Sequence, residues 1–442
     1  MPERDLYGGW EGLHFGATGY FRLGETNGRW WFVTPDGNAF LSHGVNHVGD
    51  SLLRNSYNRH HWAQVFGLES VEDEGFHASF YDKVKDDLIA TGWNTLSCHN
   101  PDSLYINVRQ PYIPTVRFVD ICHWMTPEDE DFWDVWSSDF EYHCDGIARK
   151  LVAPRAEDPY LLGYSMTDCP VWSDLDAAAR ETCIYGAKRE ALMTWPRRLR
   201  NLGEGSAGKM AYGACIRELY ADRIEAFNAV YGTGFTSFDA LAKTENWRYD
   251  VDAQNARELH DNTVFLNRTV DQYYRVIVEV IRRHDPNHMI FGDKLNGNTD
   301  VSDDLLKVVA KHCDILFWQH YANSDEHRAL LDRAARATGM PQMNGDASLS
   351  TPDDEVTNPL GPHYETQNER AQAYRGLMQD CYARTDFLGW NWCGWVDRWE
   401  AVQPMRQHSG VQDAFGNYHP IVDEMKTFAE EMYQVAMRTS FS

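Results

Sequence analysis

The sequence lacks several features that would define its class at once. No C-x-x-C pair occurs among its nine cysteines, which excludes the common zinc-ribbon and thioredoxin-type motifs. No run of about 18 apolar residues is present, so no transmembrane helix is expected. The opening Met-Pro-Glu-Arg-Asp lacks the apolar stretch of a signal peptide. We therefore expect a cytoplasmic protein, or a periplasmic or secreted one if a signal peptide has been removed.

Basic residues are also scarce. Lys and Arg number 41 against 66 Asp and Glu, which gives a formal net charge of −25 at pH 7. Nucleic acids and anionic membranes both require basic surfaces, so neither is an expected partner. A neutral or cationic ligand suits this charge, although solubility alone would account for it. The cysteines are scattered and odd in number, which favours free thiols in a reducing compartment.

Aromatic residues, by contrast, are abundant. They form 13% of the chain and include 16 Trp and 22 Tyr. Carbohydrate clefts use such flat faces to stack against sugar rings, and the alternative is simply an aromatic core. With 442 residues, 43% of them hydrophobic and 24% charged, the chain is expected to be globular and long enough for a barrel with additions.

Short apolar runs alternate with helical stretches along most of the chain. Eight strands in such alternation predict an α/β fold, a (β/α)8 TIM barrel, preceded by a β-rich lead-in at 1–37. Apolar periodicity predicts helices near 77–90, 267–284 and 366–383, and a terminal helix at about 419–438. The eight predicted strands are 39–47, 93–100, 113–118, 161–168, 288–293, 314–321, 340–346 and 387–395.

The fourth and fifth predicted strands are far apart in sequence. One crossover helix does not need the chain from about 173 to 286, so we predict a helical insertion there, beside the barrel. No linker, repeat or low-complexity run occurs, so residues 1–442 are predicted to form a single catalytic domain.

Two of the predicted strands end in a carboxylate. Asp168 ends the fourth strand shortly before Pro170, which cannot continue a sheet ladder. Asp346 ends the seventh strand. Functional residues of parallel barrels lie at the C-terminal ends of the strands, so we expect Asp168 and Asp346 to face each other across one pocket. The alternative for Asp168 is the cap of a helix or turn.

Two carboxylates that flank a bond are the minimal equipment for glycoside hydrolysis. One must carry a proton for the leaving oxygen, and the other must be ionised to attack the sugar or activate water. Asp168, with Trp172 nearby, could be the acid, because burial against aromatic surface raises a carboxyl pKa. Asp346 could be the nucleophile or base.

Other polar and aromatic residues near the strand ends suit a sugar ring, which has polar edges and an apolar face. His43 and His47 lie four apart in one predicted strand and should share a face. A structural role is the alternative for each residue, and Asp293 with Lys294 could form only a local ion pair. The predicted substrate-binding residues are His43, His47, His99, Asn100, Trp172, Asp293, Lys294, Trp318, Gln319, His320, Tyr321, Trp390, Trp392 and Trp395.

Several short motifs follow one another in a distinctive order between about residues 28 and 425. They are 29–37 (RWWFVTPDG) with 40–45 (FLSHGV), 92–95 (GWNT), 162–164 (LGY), 285–288 (DPNH) with 292–294 (GDK), and Gly345-Asp346. This order resembles the agarase-related branch of the (β/α)8 glycoside hydrolase clan that contains β-agarases and β-galactosidases. The resemblance leaves most of 173–270 uncovered. It implies a galactan-type substrate, and no cofactor or metal is expected.

The chain departs from that family at both carboxylates. The clan normally carries Asn-Glu at strand four and Glu at strand seven, whereas this chain has Thr167-Asp168 and Asp346. A strict ungapped alignment places Cys169 at the acid/base position. Because Asp is one methylene shorter than Glu, the separation of the carboxylates could change.

The leading hypothesis is a glycoside hydrolase that cleaves a galactose-containing oligo- or polysaccharide of the agar or galactan type. A non-catalytic carbohydrate-binding protein on the same barrel is the first alternative, and a homo-oligomer is compatible with either. The second alternative is a metal-dependent barrel hydrolase that uses His43, His47, His99 and His320 with Asp346.

Overall fold

The computed structural model describes residues 3–122, 132–172, 194–252, 254–299, 301–352, 361–398 and 409–438. The chain begins with an antiparallel sheet in the strand order β1-β4-β3-β2. This confirms the β-rich lead-in and extends it from residue 37 to residue 40. Its strands are β1 (Trp10–His14), β2 (Arg22–Thr26), β3 (Arg29–Val33) and β4 (Asn38–Phe40).

A second sheet is parallel throughout and forms the centre of the molecule. Its strand order is β6-β5-β11-β10-β9-β8-β7. Strands that are neighbours in the chain pair with each other, except β6 and β7, and the last strand, β11, pairs with the first, β5. All seven strands are buried almost entirely, as expected for a parallel sheet with helices around it. They are β5 (Ser42–Val45), β6 (Thr95–Leu96), β7 (Gly163–Asp168), β8 (Met289–Asn296), β9 (Leu316–Gln319), β10 (Gln342–Ala347) and β11 (Phe387–Trp392).

Residues 112–115 supply the eighth barrel segment. Tyr112 bridges in parallel to Leu96 of β6 on one side and to Leu161, just before β7, on the other. On the opposite side of the barrel, β11 pairs in parallel with β5. The eight segments therefore close into a ring in chain order, which confirms the predicted (β/α)8 barrel.

The first predicted strand, 39–47, is in fact two strands. Residues up to Phe40 pair within the lead-in sheet, and the barrel strand β5 begins at Ser42 and ends at Val45. His47 lies beyond the strand with a left-handed backbone at φ +55°. Strand alternation therefore does not extend to His47, and the prediction that His43 and His47 share a face is wrong.

Thirteen α-helices are present in the described ranges. The predicted helices near 77–90, 366–383 and 419–438 are confirmed almost residue for residue, while the helix at 267–284 begins earlier. The helices are α1 (Arg59–Val65), α2 (Phe76–Thr91), α3 (Asp102–Val108), α4 (Ser138–Leu151), α5 (Trp195–Arg200), α6 (Ala207–Leu219), α7 (Ile224–Tyr231), α8 (Phe238–Lys243), α9 (Ala256–His284), α10 (Asp303–His312), α11 (Ser324–Thr338), α12 (Gln367–Ala383) and α13 (Ile421–Arg438).

The predicted insertion at about 173–286 is helical where it is described. Helices α5 to α8 and the 29-residue α9 account for most of 194–284, whereas 173–193 lies outside the described residues. Arg200 and Glu258, both without exposed side-chain surface, form an ion pair of 3.2 Å that joins α5 to α9. The grouping of all residues into one domain stays a prediction.

The lead-in sheet covers the N-terminal end of the barrel. Arg29, which is fully buried, donates through Nη2 to the carbonyl of Phe387 at 3.3 Å, where β11 begins. The Phe32 ring stacks against Phe291 of β8, with centroids 5.8 Å apart. Because buried side chains of the lead-in sheet cover the N-terminal end of the barrel, we expect the functional site at the opposite, C-terminal end. None of the described helices combines the length and apolarity needed to cross a lipid bilayer.

Candidate active site

Four ionisable side chains meet at the C-terminal end of the barrel. Asp168 is the last residue of β7, Lys294 lies in the last half of β8, Asp346 is the penultimate residue of β10, and His99 follows β6. One oxygen of Asp168, one oxygen of Asp346 and one ring nitrogen of His99 all lie within 4.8 Å of one another. The structure thus brings together the two carboxylates predicted from the strand ends. We call these four side chains the charged cluster.

Lys294 lies at the centre of the charged cluster and has no exposed side-chain surface. Its Nζ is 3.0 Å from Asp168 Oδ1 and 2.5 Å from Asp346 Oδ2. Burial alone would lower the pKa of Lys294, but Asp168 and Asp346 outweigh it and hold that pKa well above its usual value. Lys294 is therefore a permanent cation shared by both carboxylates.

Asp346 is held in its ionised form. Burial would raise the pKa of Asp346, but the charge of Lys294 and the hydrogen bond from His99 hold it well below its usual range. Asn46 Nδ2 donates to Asp346 Oδ1 at 2.9 Å. A Cβ at the preceding Gly345 would lie 2.1 Å from the Phe317 ring, so glycine is required there for the carboxylate to take this position.

His99 completes the charged cluster. Its Nε2 lies 3.4 Å from Asp168 Oδ2, 3.6 Å from Asp346 Oδ2 and 2.7 Å from Lys294 Nζ. Burial and the charge of Lys294 both oppose protonation of the ring. The hydrogen bonds and charges of Asp168 and Asp346 outweigh them, so the pKa of His99 lies above its usual value.

Three strand ends around the cluster have an unusual backbone. His47, His99 and Cys169 adopt left-handed conformations, with φ of +55°, +65° and +46°. Such conformations are uncommon for residues with a side chain, and they occur preferentially at functional sites. The imidazoles of His47 and His99 stack at 4.6 Å with 15° between their planes. Burial and the neighbouring His99 lower the pKa of His47 to about 3, so this ring is neutral.

A cavity of about 520 Å³ opens beside the cluster. Of the two carboxylates, Asp168 lines this cavity, together with His99 and Asn100. Asn100 also braces the loop after β5, because its Oδ1 accepts from the amide of Val48 at 2.7 Å. Most of the side chains in its wall are polar. The remaining lining residues are Gly49, Asp50, Ser51, Pro101, Asp102, Tyr105, Thr115 and Arg117.

The predicted tryptophans lie away from the cluster. Alternation along a strand turns every second side chain towards the surrounding helices, and Trp318, Trp390 and Trp392 occupy such positions. Trp318 Nε1 donates to Gln342 Oε1, Trp390 Nε1 to the carbonyl of Ala347 and Trp392 Nε1 to that of Ser409. Trp395 follows β11 and donates to Asp87 Oδ2 of α2 at 2.7 Å. The structure therefore does not bring these four rings into the cavity.

Three further predicted residues have structural surroundings. His43 Nε2 lies 2.7 Å from the Tyr374 hydroxyl of α12, on the helical side of β5. Trp172 is buried with its ring edge-on to Tyr274 of α9. Asp293 accepts from the amide of Thr167 at 2.8 Å, and burial raises its pKa to about 6.

The three predicted residues at the end of β9 have different surroundings. Gln319 reaches the cluster side, where its Oε1 accepts from the Cys169 thiol at 3.2 Å. His320 instead packs against His327 of α11, with ring centroids 4.8 Å apart, and burial lowers its pKa to about 4. Tyr321 lies 9% exposed, and its backbone amide donates to Asn298.

Sequence reasoning missed Asn46 and the thiols around the cluster. Asn46 binds both Asp346 and the Gly345 carbonyl, and its own Oδ1 accepts from the Cys98 thiol at 3.5 Å. Its position between Val45 and His47, at the end of the first barrel strand, was the available signal. Cys169 was noted only as an alignment position, and Cys98 was not assigned to the site. The eight cysteines of the described ranges are all buried and free.

Two trios of side chains have the spacing of metal ligands: His99, Asp168 and Asp346, and His47, Asp346 and Cys393. In the first trio, the Lys294 ammonium already lies between the two carboxylates, where a metal ion would bind. Asp346, common to both trios, also accepts from Asn46. We therefore assign no metal ligand here. The alternative set His43, His47, His99, His320 and Asp346 is not assembled, since His43 and His320 face helices.

The closed barrel and the carboxylates at its C-terminal end define a (β/α)8 barrel of the kind that hosts glycoside hydrolases. In sequence, the chain is 20% identical to β-agarase B of Vibrio sp. (strain JT0107), over an alignment of 501 positions that covers 98% of this chain and 50% of that protein. The chain thus spans half the length of this curated relative. No protein-family profile matches the chain.

Solved structures give the same result for the fold. An exo-β-agarase superposes with a TM-score of 0.80 at 17% identity, covering 99% of this chain and 68% of that chain. A β-galactosidase from the psychrophilic Marinomonas ef1 gives a TM-score of 0.56 at 11% identity, covering 82% and 58%. The chain is thus related to the agarases, and the resemblance found in its motifs is confirmed.

Proposed function

We propose that this protein is a glycoside hydrolase that cleaves a galactose-containing polysaccharide or oligosaccharide of the agar type. The observation that carries the proposal is the pair Asp168 and Asp346, whose oxygens approach within 4.8 Å at the C-terminal end of the barrel. The substrate class rests on the agarase and β-galactosidase relatives. The polar wall of the 520 Å³ cavity beside Asp168 is compatible with a sugar.

The environments of the two carboxylates support different roles. Asp346 is 2% exposed and is kept ionised by Lys294, which suits a nucleophile. Asp168 borders the cavity, which suits the acid/base side of the reaction. Carboxyl groups of retaining glycosidases lie about 5–5.5 Å apart, whereas inverting enzymes need about 6.5–9.5 Å to admit a water molecule. One oxygen of each carboxylate lies within 4.8 Å of the other, and this close approach favours retention of anomeric configuration.

The test is hydrolysis of agar-derived oligosaccharides by wild type and Asp346→Asn, followed by NMR of the anomeric protons. We expect wild type to release the retained anomer first and Asp346→Asn to lose roughly a thousandfold or more in rate. Asp304→Asn is the matched control, because Asp304 is 71% exposed on α10. Full activity in Asp346→Asn would exclude Asp346 as nucleophile, and the inverted product would exclude the retaining mechanism.

A non-catalytic carbohydrate-binding protein is the second candidate. One observation favours it: the Lys294 ammonium bridges the two carboxylates, in the space that a scissile bond needs. Calorimetry with the same oligosaccharides, combined with product analysis over days, separates the two. Saturable binding without any hydrolysis would support the binder, and efficient turnover would eliminate it.

A further inference from the structure

Asn46 lies where the first barrel strand reaches the charged cluster, and it is fully buried. Its backbone amide donates to the carbonyl of Trp392, the last residue of β11, at 2.8 Å. Its side-chain Nδ2 donates to the carbonyl of Gly345 at 2.7 Å and to Asp346 Oδ1 at 2.9 Å. These bonds tie the end of β5 to two other strands of the barrel. The side-chain amide therefore has a fixed position, from which it reaches the carboxylate.

The two oxygens of Asp346 have different partners. Oδ2 lies 2.5 Å from Lys294 Nζ and 3.6 Å from His99 Nε2, whereas Oδ1 accepts from Asn46. The Cys393 thiol is a further neighbour of the carboxylate, but a thiol is a weak donor. The last side-chain torsion of aspartate is soft and roughly two-fold, so a cation alone would leave the plane of the carboxylate poorly defined. Donors on both oxygens fix that plane.

The orientation of the Asn46 amide depends on its partners, because the two ends of an asparagine amide have nearly the same shape. Reversed, Asn46 would present Oδ1 to the Gly345 carbonyl and to the Asp346 carboxylate, which are both acceptors. In the observed orientation, Oδ1 instead accepts from the Cys98 thiol at 3.5 Å. The same proton can also reach the Gly345 carbonyl, at 3.6 Å. Burial raises the pKa of Cys98 to about 12, so the thiol keeps its proton and remains a donor.

Behind this thiol, the hydrogen bonds continue in one direction. Asn391 of β11 donates through Nδ2 to Ser97 Oγ at 2.6 Å, and Ser97 Oγ donates to Cys98 Sγ at 3.7 Å. All three residues are fully buried. We call Asn391, Ser97, Cys98 and Asn46 the donor chain, because each of them donates in the direction of Asp346. Hydrogen bonds that are aligned in this way polarise one another in a low-dielectric interior.

We propose that Asn46 is a positioning residue for the nucleophile Asp346 and that the donor chain sets the orientation of its amide. This inference rests on the proposed function and adds to it the group that holds the attacking carboxylate in place. The described residues that line the cavity do not include Asn46, so Asn46 acts through Asp346 and not by contact with the sugar. Its loss should therefore lower kcat and leave KM almost unchanged.

The first test replaces the amide of Asn46 in two ways. Asn46→Leu keeps a similar volume and removes the donor. Asn46→Asp keeps the shape, and burial beside the ionised Asp346 should raise the pKa of the introduced carboxyl, which then carries a proton to donate only at low pH. The other titratable groups around this carboxyl are the neutral His47, the protonated Cys98 and, beyond Asp346, the cationic Lys294.

Both variants and wild type are compared in kcat and KM on agar-derived oligosaccharides from about pH 4 to 8, with the folded fraction measured by circular dichroism. Asn46→Leu should lose about 100-fold in kcat at every pH, because the carboxylate is no longer held in its reactive position. Asn46→Asp should approach wild type at low pH and fall to the level of Asn46→Leu as its carboxyl ionises. A purely structural role of Asn46 would not produce this additional pH dependence.

Asn417→Asp is the matched control. Asn417 also donates to an aspartate, Asp413 Oδ2, at 2.8 Å, but on the exposed surface. Its replacement should leave kcat equal to that of wild type at each pH. If Asn46→Leu does not fold, Asn46→Asp, which has the shape of asparagine, still carries the test.

A second pair of variants tests the donor chain. Cys98→Ser and Cys98→Ala both remove the sulfur atom and differ only in the hydroxyl donor. The kcat of Cys98→Ala should lie about 2–10-fold below that of Cys98→Ser, which corresponds to one hydrogen bond. Equal kcat values would show that Cys98 does not orient Asn46.

The outcomes separate this inference from the proposed function. If wild type cleaves the oligosaccharides and Asn46→Leu is equally fast, or Asn46→Asp shows no additional pH dependence, the positioning role is wrong and the hydrolase remains. If wild type cleaves no oligosaccharide, the proposed function fails and the positioning role fails with it.

Discussion

Among single residues, Lys294 determines the charge state of its neighbours. Its fully buried ammonium lies between two carboxylates and contacts both of them, at 3.0 Å and 2.5 Å. Burial of these three charged groups costs desolvation free energy. Removal of the ammonium should therefore destabilise the fold most at a pH where both carboxylates are ionised.

Replacing Lys294 with Met should lower the free energy of unfolding by about 3–5 kcal/mol at neutral pH, because two buried negative charges lose their partner. The lowered pKa of Asp346 contributes stability above its unfolded value of about 3.9, and that stability is lost as the pH falls. The difference between variant and wild type should therefore be largest at neutral pH and narrow as the pH falls below about 4. Urea denaturation at about pH 7 and about pH 3 measures this difference.

Lys307→Met is the matched control, since Lys307 is 57% exposed in its pair with Asp304. Its effect should stay within about 0.5 kcal/mol. Equal stability of Lys294→Met and wild type at neutral pH would contradict the central role of this lysine.

Asp293, the neighbour of Lys294 in β8, gives an opposite pH dependence. Burial raises its pKa to about 6, so the folded protein binds this proton more tightly than the unfolded chain. Stability should fall as the pH rises from about 4 to 6, because the buried carboxyl must ionise. Asp293→Asn keeps an acceptor for the amide of Thr167 and removes the charge. We expect the variant to gain about 1–3 kcal/mol at pH 7 and little at pH 4.

Chemical denaturation of wild type and Asp293→Asn from about pH 4 to pH 7 tests this predicted pH dependence of the stability difference. A variant that is destabilised equally at all pH values would show that Asp293 serves as a hydrogen-bond acceptor and not as a titrating group.

Which residues of the site could be predicted depended on where the strands end. Asp168 follows an apolar run and Asp346 ends the seventh predicted strand, so their position at the barrel end followed from the strand assignment. His43 and the tryptophans of β11 could not be placed, because a shift of one residue reverses the face of a strand. The left-handed turns at His47 and His99 have no signature in the residue types, since neither is glycine.

At the scale of elements, the junction of β5 and β11 closes the barrel, and two glycines make it possible. A Cβ at Gly389 would lie 2.4 Å from the carbonyl oxygen of Ser42 in β5, and a Cβ at Gly44 would lie 2.5 Å from Oδ1 of Asn391 in β11. The neighbouring strand already fills the space where each side chain would project.

Gly389→Ala should therefore force β11 away from β5 and destabilise the fold by about 2–4 kcal/mol, as overpacking against backbone does. Gly376→Ala provides the control, because it lies within α12 with nothing within 4 Å of the added methyl group. That change should be neutral or stabilise by up to about 1 kcal/mol. Thermal unfolding of both variants measures the contrast, and a tolerated Gly389→Ala would show that the junction is not tightly closed.

The elements themselves were predictable to different degrees. Long amphipathic helices such as α9 and α12 repeat their apolar residues often enough to be recognised. The second barrel strand, by contrast, has two residues, and the third consists of isolated bridges at Tyr112 and Thr115. Segments of this length carry almost no periodicity, so the apolar runs at 93–100 and 113–118 predicted that these strands exist but not where they begin and end.

At the scale of the whole molecule, the charge of −25 should affect which form of the proposed galactan substrate reaches the site. A sulfated galactan is repelled by an acidic surface, and salt screens that repulsion as the Debye length falls from about 30 Å at 0.01 M to about 10 Å at 0.1 M. We expect kcat/KM for a sulfated substrate to rise several-fold over this range, while that for neutral agar oligosaccharides stays constant.

Steady-state kinetics on the two substrates at matched pH gives the comparison. An equal effect of salt on kcat/KM for the sulfated and the neutral substrate would mean that the ions act on the protein itself and not on the association of the sulfated substrate with it.

The position of the lead-in sheet also affects the order in which the chain folds during its synthesis. Its anchor Arg29 binds the carbonyls of Arg384 and Phe387, which lie 355 and 358 residues further along. A ribosome that adds about 5–20 residues per second reaches them roughly 20–70 s later. During that interval Trp31, Phe32 and Phe40, all fully buried at the end, have no barrel to cover them. Of the two described sheets, the lead-in sheet is therefore synthesised first but docks only after β11 has emerged, and its apolar face stays uncovered until then.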